Sequence, residues 1–509
     1  MLQKELIFCL ILLPKQTPQD ANNNSMISSS LSLLMRLSEM QFKAPWSLQI
    51  STHVAVVLLL CFNLTSPFFL GSAALAINGN ETDQQGLLQF KAKITGDQLG
   101  IMRSWNNNVH FCQWRGVKCG RLHQRVTRLD LPALKLMGPI SPYVGNLSFL
   151  RVLSLRNNGF IQELPQEIGR LHRLEELNLH RNLIVGEIPS NISGCLKLKH
   201  LYIEHNLLVG EIPAALGHLS NLKELSFSNN TLRGSIPPFL GNLSSLEIIY
   251  LPLNRLSGII PEALGQLKNL TTFAAAINKL SGMVPSSLFN LSNVTKPDIG
   301  ENNFHGSRPS QLGVNKPYLE LFSDSQNQLS GLFPPSITNA SNLINLQVYG
   351  NKFTGKIASF RKLEKLQRLN VADNLLGSEG ANDLNFLCSL TGATSLEYVK
   401  ISYNSFGGIL PECISNLSTA ITFFAMQDNN IVGTIPAGFG NRIDLEVLEA
   451  GGNQLSGTIP SVIGRLQKLK LFAVNINSIS GSVPTSLGNL KMLIELYLND
   501  NNLQGEIPP

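Results

Sequence analysis

The chain is predicted to be an α/β repeat solenoid, and three observations predict it. A pattern recurs every 24 residues from Leu129 to Pro508. Its template is L-x-L-x-x-N-x-L-x-G-x-I-P, as in Leu177, Leu179, Asn182, Ile184, Gly186, Ile188 and Pro189. Of sixteen copies, fifteen carry asparagine at the sixth position, and only the first has Leu134 there. Steps lengthen to 25 near Phe322 and Phe424, and a 23/30 pair surrounds Leu369.

Each repeated position has a physical task. The L-x-L pair alternates as a short strand with one buried face does. Its inward residues stack on those of neighbouring repeats, and its outward residues form an inner wall of about 75 Å if straight. After the strand the chain turns, and its backbone groups still need partners. Asparagine offers donor and acceptor on a short side chain, so it can bond backbone above and below. The expected ladder is Asn158, Asn182, Asn206, Asn230, Asn254, Asn278, Asn302, Asn327, Asn351, Asn374, Asn404, Asn429, Asn453, Asn477 and Asn501. Glycine suits the turn that follows, and proline ends the segment because it cannot donate to a ladder. The remainder, as in Ala214–Leu222, suits a short helix or an irregular outer wall. No single repeat can bury its own apolar face, and stacking does that. A period of roughly 20–29 residues with this pattern marks a leucine-rich-repeat solenoid.

A first repeat exposes an apolar edge that needs covering. The amphipathic stretch Gly86–Ile94 and the segment Trp105–Cys119 are placed to cover it, as a cap over residues 77–124 before repeats over 125–509. Cys112 and Cys119 are expected to pair in an oxidising compartment. The competing reading, a metal site from Cys112, Cys119, His110 and His123, lacks the usual ligand spacing. Cys195 aligns with Leu219 one repeat later and is expected in the core. Cys388 and Cys413 fall at nearly equivalent outer-wall positions of adjacent repeats, either paired or free.

Residues 53–76 hold the apolar run Val54–Phe62 and then Ala74-Leu-Ala76, the pattern of a secretory signal with a small-residue cleavage site. Its length also fits a membrane helix, which Asn63, Ser66 and Pro67 would interrupt. Met35 or Met40 would start a signal of ordinary length, which gives a signal peptide over 35–76 and leaves 1–34 as a spurious or disordered extension. Secretion or exposure outside the plasma membrane is therefore expected. Ten sequons agree with that: Asn80, Asn146, Asn191, Asn229, Asn242, Asn269, Asn290, Asn293, Asn339 and Asn416. Several recur at one phase of the repeat, so the sequons are assigned to the outer wall. Net charge is +6, and beyond residue 76 it is diffuse, with no basic stripe, so nucleic acid is not an expected partner. No phosphate loop, H-E-x-x-H or G-x-S-x-G occurs, so neither catalysis nor a cofactor is expected.

Cap and repeats together resemble plant leucine-rich-repeat receptor-like kinases and receptor-like proteins. The segments that carry this are Thr82–Lys91, Ser104-Trp105, Cys112-x-Trp-x-Gly-Val-x-Cys119 and the G-x-I-P half of the repeat. Arg125–Leu131, Gly145–Leu153 and the long irregular repeat Glu379–Leu387 are most similar to the subgroup containing immune receptors for bacterial peptides. The resemblance implies a right-handed superhelix with a parallel inner sheet and a second small sheet on its side. It also implies capture of an extracellular peptide or microbial ligand on the concave face and recruitment of a co-receptor leucine-rich-repeat kinase. The chain stops at Pro509 inside a repeat, so it is expected to be an ectodomain truncated before its membrane span and kinase, with a last repeat prone to fray. Membrane contact would then come only through a missing C-terminal anchor or an uncleaved signal. Alternative readings are a secreted inhibitor of a pathogen cell-wall-degrading enzyme and a non-signalling decoy.

Three inner-wall patches are candidate ligand sites. Repeats three and four offer a mixed-charge group around Arg181, His200, Tyr202 and Glu204, with Glu176, His180 and His205 beside it. Repeats six and seven offer an apolar group of Ile248, Tyr250, Leu253, Ala274, Ala276 and Ile277. Repeats twelve and thirteen offer Tyr398, Lys400, Tyr403 and Phe423, aromatics being favoured interface anchors. Repeats eight and nine break the pattern: Pro297 and Asp324 take core-strand positions and Arg308 replaces the isoleucine before Pro309. An unpaired buried charge is costly, so local distortion or a bend is expected there.

Overall fold

The computed structural model describes residues 79–314 and 316–508; the extension and signal peptide read from the sequence lie outside these residues. From Val126 to Tyr497 each repeat contributes one short strand, such as Glu176–Asn178 or Ile248–Tyr250. These strands pair in parallel, each with the same position of the next repeat, as Glu176, Leu177 and Asn178 do with His200, Leu201 and Tyr202. Val117–Cys119 from the cap pairs antiparallel with Val126–Asp130 and covers the first edge. The middle residue of each triplet is buried and belongs to one continuous core, from Leu129 through Leu201 and Phe273 to Phe472. Leu496, the next in that column, is 43% exposed.

The outer wall is built mainly of single 3-10 turns, among them Gln166–Arg170 and Ser461–Arg465. About five residues separate the proline from the next buried leucine, too few to repay a longer helix. A second set of strands runs along one side. It comprises five strands between Gly96 and Val209, six between Ser257 and Leu376, and five between Gly407 and Leu503. The second interruption coincides with the long repeat. There Asp383 is buried and accepts from the backbone N–H of Ser378, Gly380 and Gly407 at 2.7, 2.9 and 3.3 Å. These bonds hold its carboxyl below the ordinary range against the opposing effect of burial. Gly408 is required beside this insertion, since a Cβ would lie 2.4 Å from the Ala381 carbonyl oxygen.

The asparagines stitch repeat to repeat. Asn278 donates through Nδ2 to Leu251 O of the preceding repeat, and to Ala275 O and Ala276 O of its own, each at 3.1 Å. Its Oδ1 accepts from Leu256 N at 2.9 Å. The same pattern recurs from Asn158 to Asn501. The side chain therefore reaches backward to one neighbour and closes its own turn, instead of bonding on both sides.

The cap is anchored by aromatic packing and one buried carboxylate. Trp105 stacks on Trp114 with centroids 5.3 Å apart, and Phe90 lies 6.1 Å from Trp105 and 6.0 Å from Phe160 of the repeats. Asp83, fully buried on the helix Gly79–Ala92, takes Arg125 bidentately at 2.7 and 2.9 Å and Val126 N at 2.7 Å. Cys112 and Cys119 form a disulfide with Cα atoms 5.5 Å apart, which removes both thiols from the alternative metal site. Cys388 and Cys413 are also bonded, tying the long repeat to the next across 5.3 Å. Cys195 is buried, and burial pushes its thiol up to about 12.

Repeats eight and nine depart from expectation in an instructive way. Asp324 is not an unpaired charge. Its partner is Arg308, the other anomalous residue, at 2.6 Å from Nε to Oδ2 with both side chains almost fully buried. The isoleucine position of one repeat and the leucine position of the next have changed together, so the stack continues: Ile299 N bonds Ser323 O at 2.9 Å and Leu321 N bonds Thr295 O at 3.1 Å. What remains is thinned pairing, with only Asp298 and Ser323 in register where neighbouring strands match three residues. Proline at 297 has no N–H to give the ladder. A third buried charge, Lys316, replaces a core leucine and donates to Leu291 O.

Two outcomes follow. Removing one partner of the buried pair, as in D324L, should cost about 3–5 kcal/mol of local stability, whereas the double change R308M/D324L should be neutral or stabilising; hydrogen exchange over residues 296–330 measures both. Burial depresses Lys316 to about 8, so the folded state binds fewer protons than the unfolded one between that value and the ordinary lysine range. Stability of these repeats should therefore rise with pH from about 8 to about 10.4 in the native chain. It should show no such increment in K316L.

Candidate ligand-binding face

The inner sheet presents two outward-facing positions per strand, one on each side of the core residue, followed by a turn residue just before the ladder asparagine. That turn residue has positive φ in every repeat, from Ala133 at +54° to Asp500 at +56°. Asn, Asp and Gly take this conformation at little cost. Leu253, Ile277, Tyr403 and Ile476 take it too, at +59°, +54°, +52° and +52°. For a β-branched side chain this is a true outlier.

The mixed-charge patch is drawn together by contacts among its own side chains, yet His180 Nδ1, His200 Nδ1 and Glu204 Oε2 are buried without a hydrogen-bond partner. His180 Nδ1 lies 3.1 Å from Glu204 Oε1, the His180 and His205 rings meet edge-on at 5.3 Å, and His205 Nδ1 lies 2.7 Å from Asn229 Nδ2. Tyr202 donates to Glu224, and His200 Nδ1 lies 3.5 Å from the same carboxylate. Burial lowers His180 and His205, with Arg181 adding to both, while burial raises Glu204. Arg181 remains exposed beside this group.

The apolar patch is narrower than its sequence suggested. Tyr250, Leu253 and Ile277 are 41%, 43% and 39% exposed. Ala274 and Ala276 are buried, because their short side chains lie below the level of the larger neighbours.

The third patch is the start of a longer construction. Arg368, Tyr398 and Phe423 occupy the same register position on consecutive strands. The Arg368 guanidinium sits 4.7 Å from the Tyr398 ring centre, and Tyr398 stacks on Phe423 at 4.4 Å and 12°. Beside this column lies an open cleft of about 670 Å³, lined by Tyr349, Asn370, Asp373, Lys400 and Tyr403 together with Arg368 and Tyr398. Burial raises the Tyr349 and Tyr398 hydroxyls above the ordinary tyrosine range. Tyr398, Lys400 and Tyr403 were legible from sequence. Tyr349, Arg368 and Asn370 were missed, although Arg368 and Asn370 hold the register positions of Tyr398 and Lys400 one repeat earlier.

Comparison with known proteins fits this geometry. Residues 125–349 match the family described as Leucine-rich repeat region, residues 80–120 the Leucine rich repeat N-terminal domain, and 395–417 and 444–466 the Leucine Rich Repeat. The chain belongs to the leucine-rich-repeat family. Among curated relatives, the LRR receptor-like serine/threonine-protein kinase EFR of Arabidopsis thaliana is 48% identical over 90 residues, 18% of this chain and 9% of that relative. The chain thus matches under a tenth of that protein's length. Among solved structures, the plant peptide hormone receptor RGFR1 in complex with RGF2 superposes with TM-score 0.70 at 32% identity, over 78% of this chain and 65% of that one. The ectodomain of the Arabidopsis receptor kinase HAESA, in complex with an extended IDA peptide hormone, gives TM-score 0.65 at 29% identity, over 84% and 79%. Among the described residues no helix is long and apolar enough to cross a membrane.

The strained turn makes a direct expectation. Ile277→Asn relieves a β-branched residue of a left-handed backbone and should stabilise its repeat by about 1 kcal/mol, read as slower amide exchange at Asn278 and Leu280.

Proposed function

We propose that this chain is the extracellular ligand-recognition module of a plant receptor-like kinase or receptor-like protein. Its ligand, a peptide or microbial pattern, lies along the inner face in the cleft between Tyr349 and Phe423. A co-receptor leucine-rich-repeat kinase is the partner that the family resemblance implies. The observation that carries the reading is the stacked column Arg368–Tyr398–Phe423. Three side chains on separate repeats hold one another in place beside a cleft that no side chain fills. Prearranged aromatic and guanidinium surfaces lose little side-chain entropy on binding, and Tyr and Arg are enriched among residues that dominate binding energy. The other two patches lack this arrangement: one pairs internally, and the other is a low apolar surface with no cleft.

The two structural neighbours, one a plant peptide hormone receptor in complex with RGF2 and the other a receptor kinase ectodomain with a peptide hormone, support the class of ligand. The repeat supplies shape without catalytic chemistry, so ligand identity resides in the exposed positions of a few strands. The reading is tested by selecting binders from a displayed random peptide library against the secreted full chain. Selected peptides should lose at least about tenfold in affinity with Arg368→Glu or Tyr398→Ala, about 1.4 kcal/mol. They should keep affinity with Tyr250→Asp. Peptides insensitive to both cleft substitutions would count against the cleft as the ligand site.

A further inference from the structure

The outer-wall assignment of the sequons fails at one position. Asn146, Asn191, Asn242, Asn339 and Asn416 lie within outer turns, and Asn290 directly follows one. Asn269 and Asn293 lie between an outer turn and the next strand, and Asn80 lies on the cap helix. Asn229 does not belong with these. It is the turn residue between the inner strand Glu224–Ser226 and ladder Asn230, exposed and with φ of +49°. Its N–H bonds Pro252 O at 2.9 Å, which places Leu253 of the next repeat directly beside it. Leu253, Tyr250 and Ile277, the exposed apolar patch of the inner face, therefore begin one repeat away, about 5 Å along the sheet.

We propose that Asn229 carries an N-linked glycan whose first sugar rings lie over Leu253, Tyr250 and Ile277, so that the apolar patch is covered by carbohydrate and not by a protein partner. The sequon Asn229-Asn230-Thr231 supplies the acceptor. Asparagine is among the few residues that accept a left-handed backbone cheaply, so the site costs the fold little. The Asn229 amide has His205 Nδ1 as its polar partner at 2.7 Å, and a glycosylated amide keeps one N–H for that bond. Sugar rings present C–H faces that pack on tyrosine and aliphatic side chains while their hydroxyls stay in water. This suits a patch that would otherwise expose large apolar residues. The cleft at Arg368 stands six repeats further on, roughly 29 Å along a straight sheet, clear of those first rings. The glycan thereby screens repeats six and seven of the inner face and leaves the cleft open.

The inference rests on the chain entering the secretory route, as the proposed function requires. The full chain is secreted from plant cells and its glycopeptides are mapped by mass spectrometry. Hydroxyl-radical footprinting then compares the native chain with N229Q and with T231A, which removes the sequon but keeps Asn229. Expected results are occupancy at Asn229 and a severalfold rise in oxidation of Tyr250 and Leu253 in both variants. Tyr398 and Tyr403 should be unchanged. An unoccupied Asn229 alongside occupied Asn242 and Asn290 overturns the proposal and leaves the receptor reading standing. So does an occupied Asn229 with unchanged Tyr250 and Leu253 rates. A secreted chain bare at every sequon overturns this proposal, whereas failure to be secreted at all overturns the receptor reading with it.

Discussion

Each ladder asparagine closes two backbones at once, and the solenoid depends on that bond set. A strand of three residues ends in a left-handed turn, and the carbonyl of the inward residue that enters it takes its donor from the asparagine side chain. One carboxamide supplies the turn of its own repeat and the edge of the preceding one, as Asn182 does for Leu179 O and Leu155 O, each at 3.0 Å. Buried carbonyls left without such a donor would each cost about 1–3 kcal/mol. The hydrophobic column beneath contributes more free energy in total, but it is non-directional. The asparagines set the register, and register decides which side chains reach the inner face.

The same turn that needs asparagine also forces a positive φ on the residue before it. That position lies on the rim of the inner face, so one backbone rule reaches the proposed ligand surface. Where the residue is Asn or Asp the conformation is cheap. Where it is Ile277, Leu253 or Tyr403, strain is carried to present a large side chain to solvent. Two of these three sit in the patch beside Asn229 and the third lines the cleft. Scaffold and recognition surface therefore compete at the same residues.

Repeats eight and nine show how a solenoid absorbs departures from its rule. Read singly, Arg308 and Asp324 are errors in two different repeats. Stacking brings the two positions together, and each supplies what the other lacks. Linear distance hides this, because the two stand 16 positions apart in the chain. Cys388 and Cys413 posed the same problem: they stand at nearly equivalent positions of adjacent repeats, and the fold sets their Cα atoms 5.3 Å apart in a disulfide.

The repeat made the fold legible from sequence because every position has one task and the period exposes it. Buried residues, ladder, turn glycines and the cap with its cysteine pair were all readable that way, and so were Tyr398, Lys400 and Tyr403 as inner-face residues. What the period cannot encode is which exposed residues touch across strands, since side-chain reach and size vary between repeats. Only the tertiary structure joined Arg368 to the aromatic column, set Tyr349 in the cleft beside it, drew the charged patch together and buried Ala274 and Ala276. Asn229 shares the register position of Leu253 and Ile277, so its place on the inner rim could have been read from the repeat as well. The sequence by itself determined the stacked scaffold, because burial and backbone hydrogen bonding are repeated locally in every unit. The recognition face was decided by contacts between units, where geometry in three dimensions governs which neighbours meet.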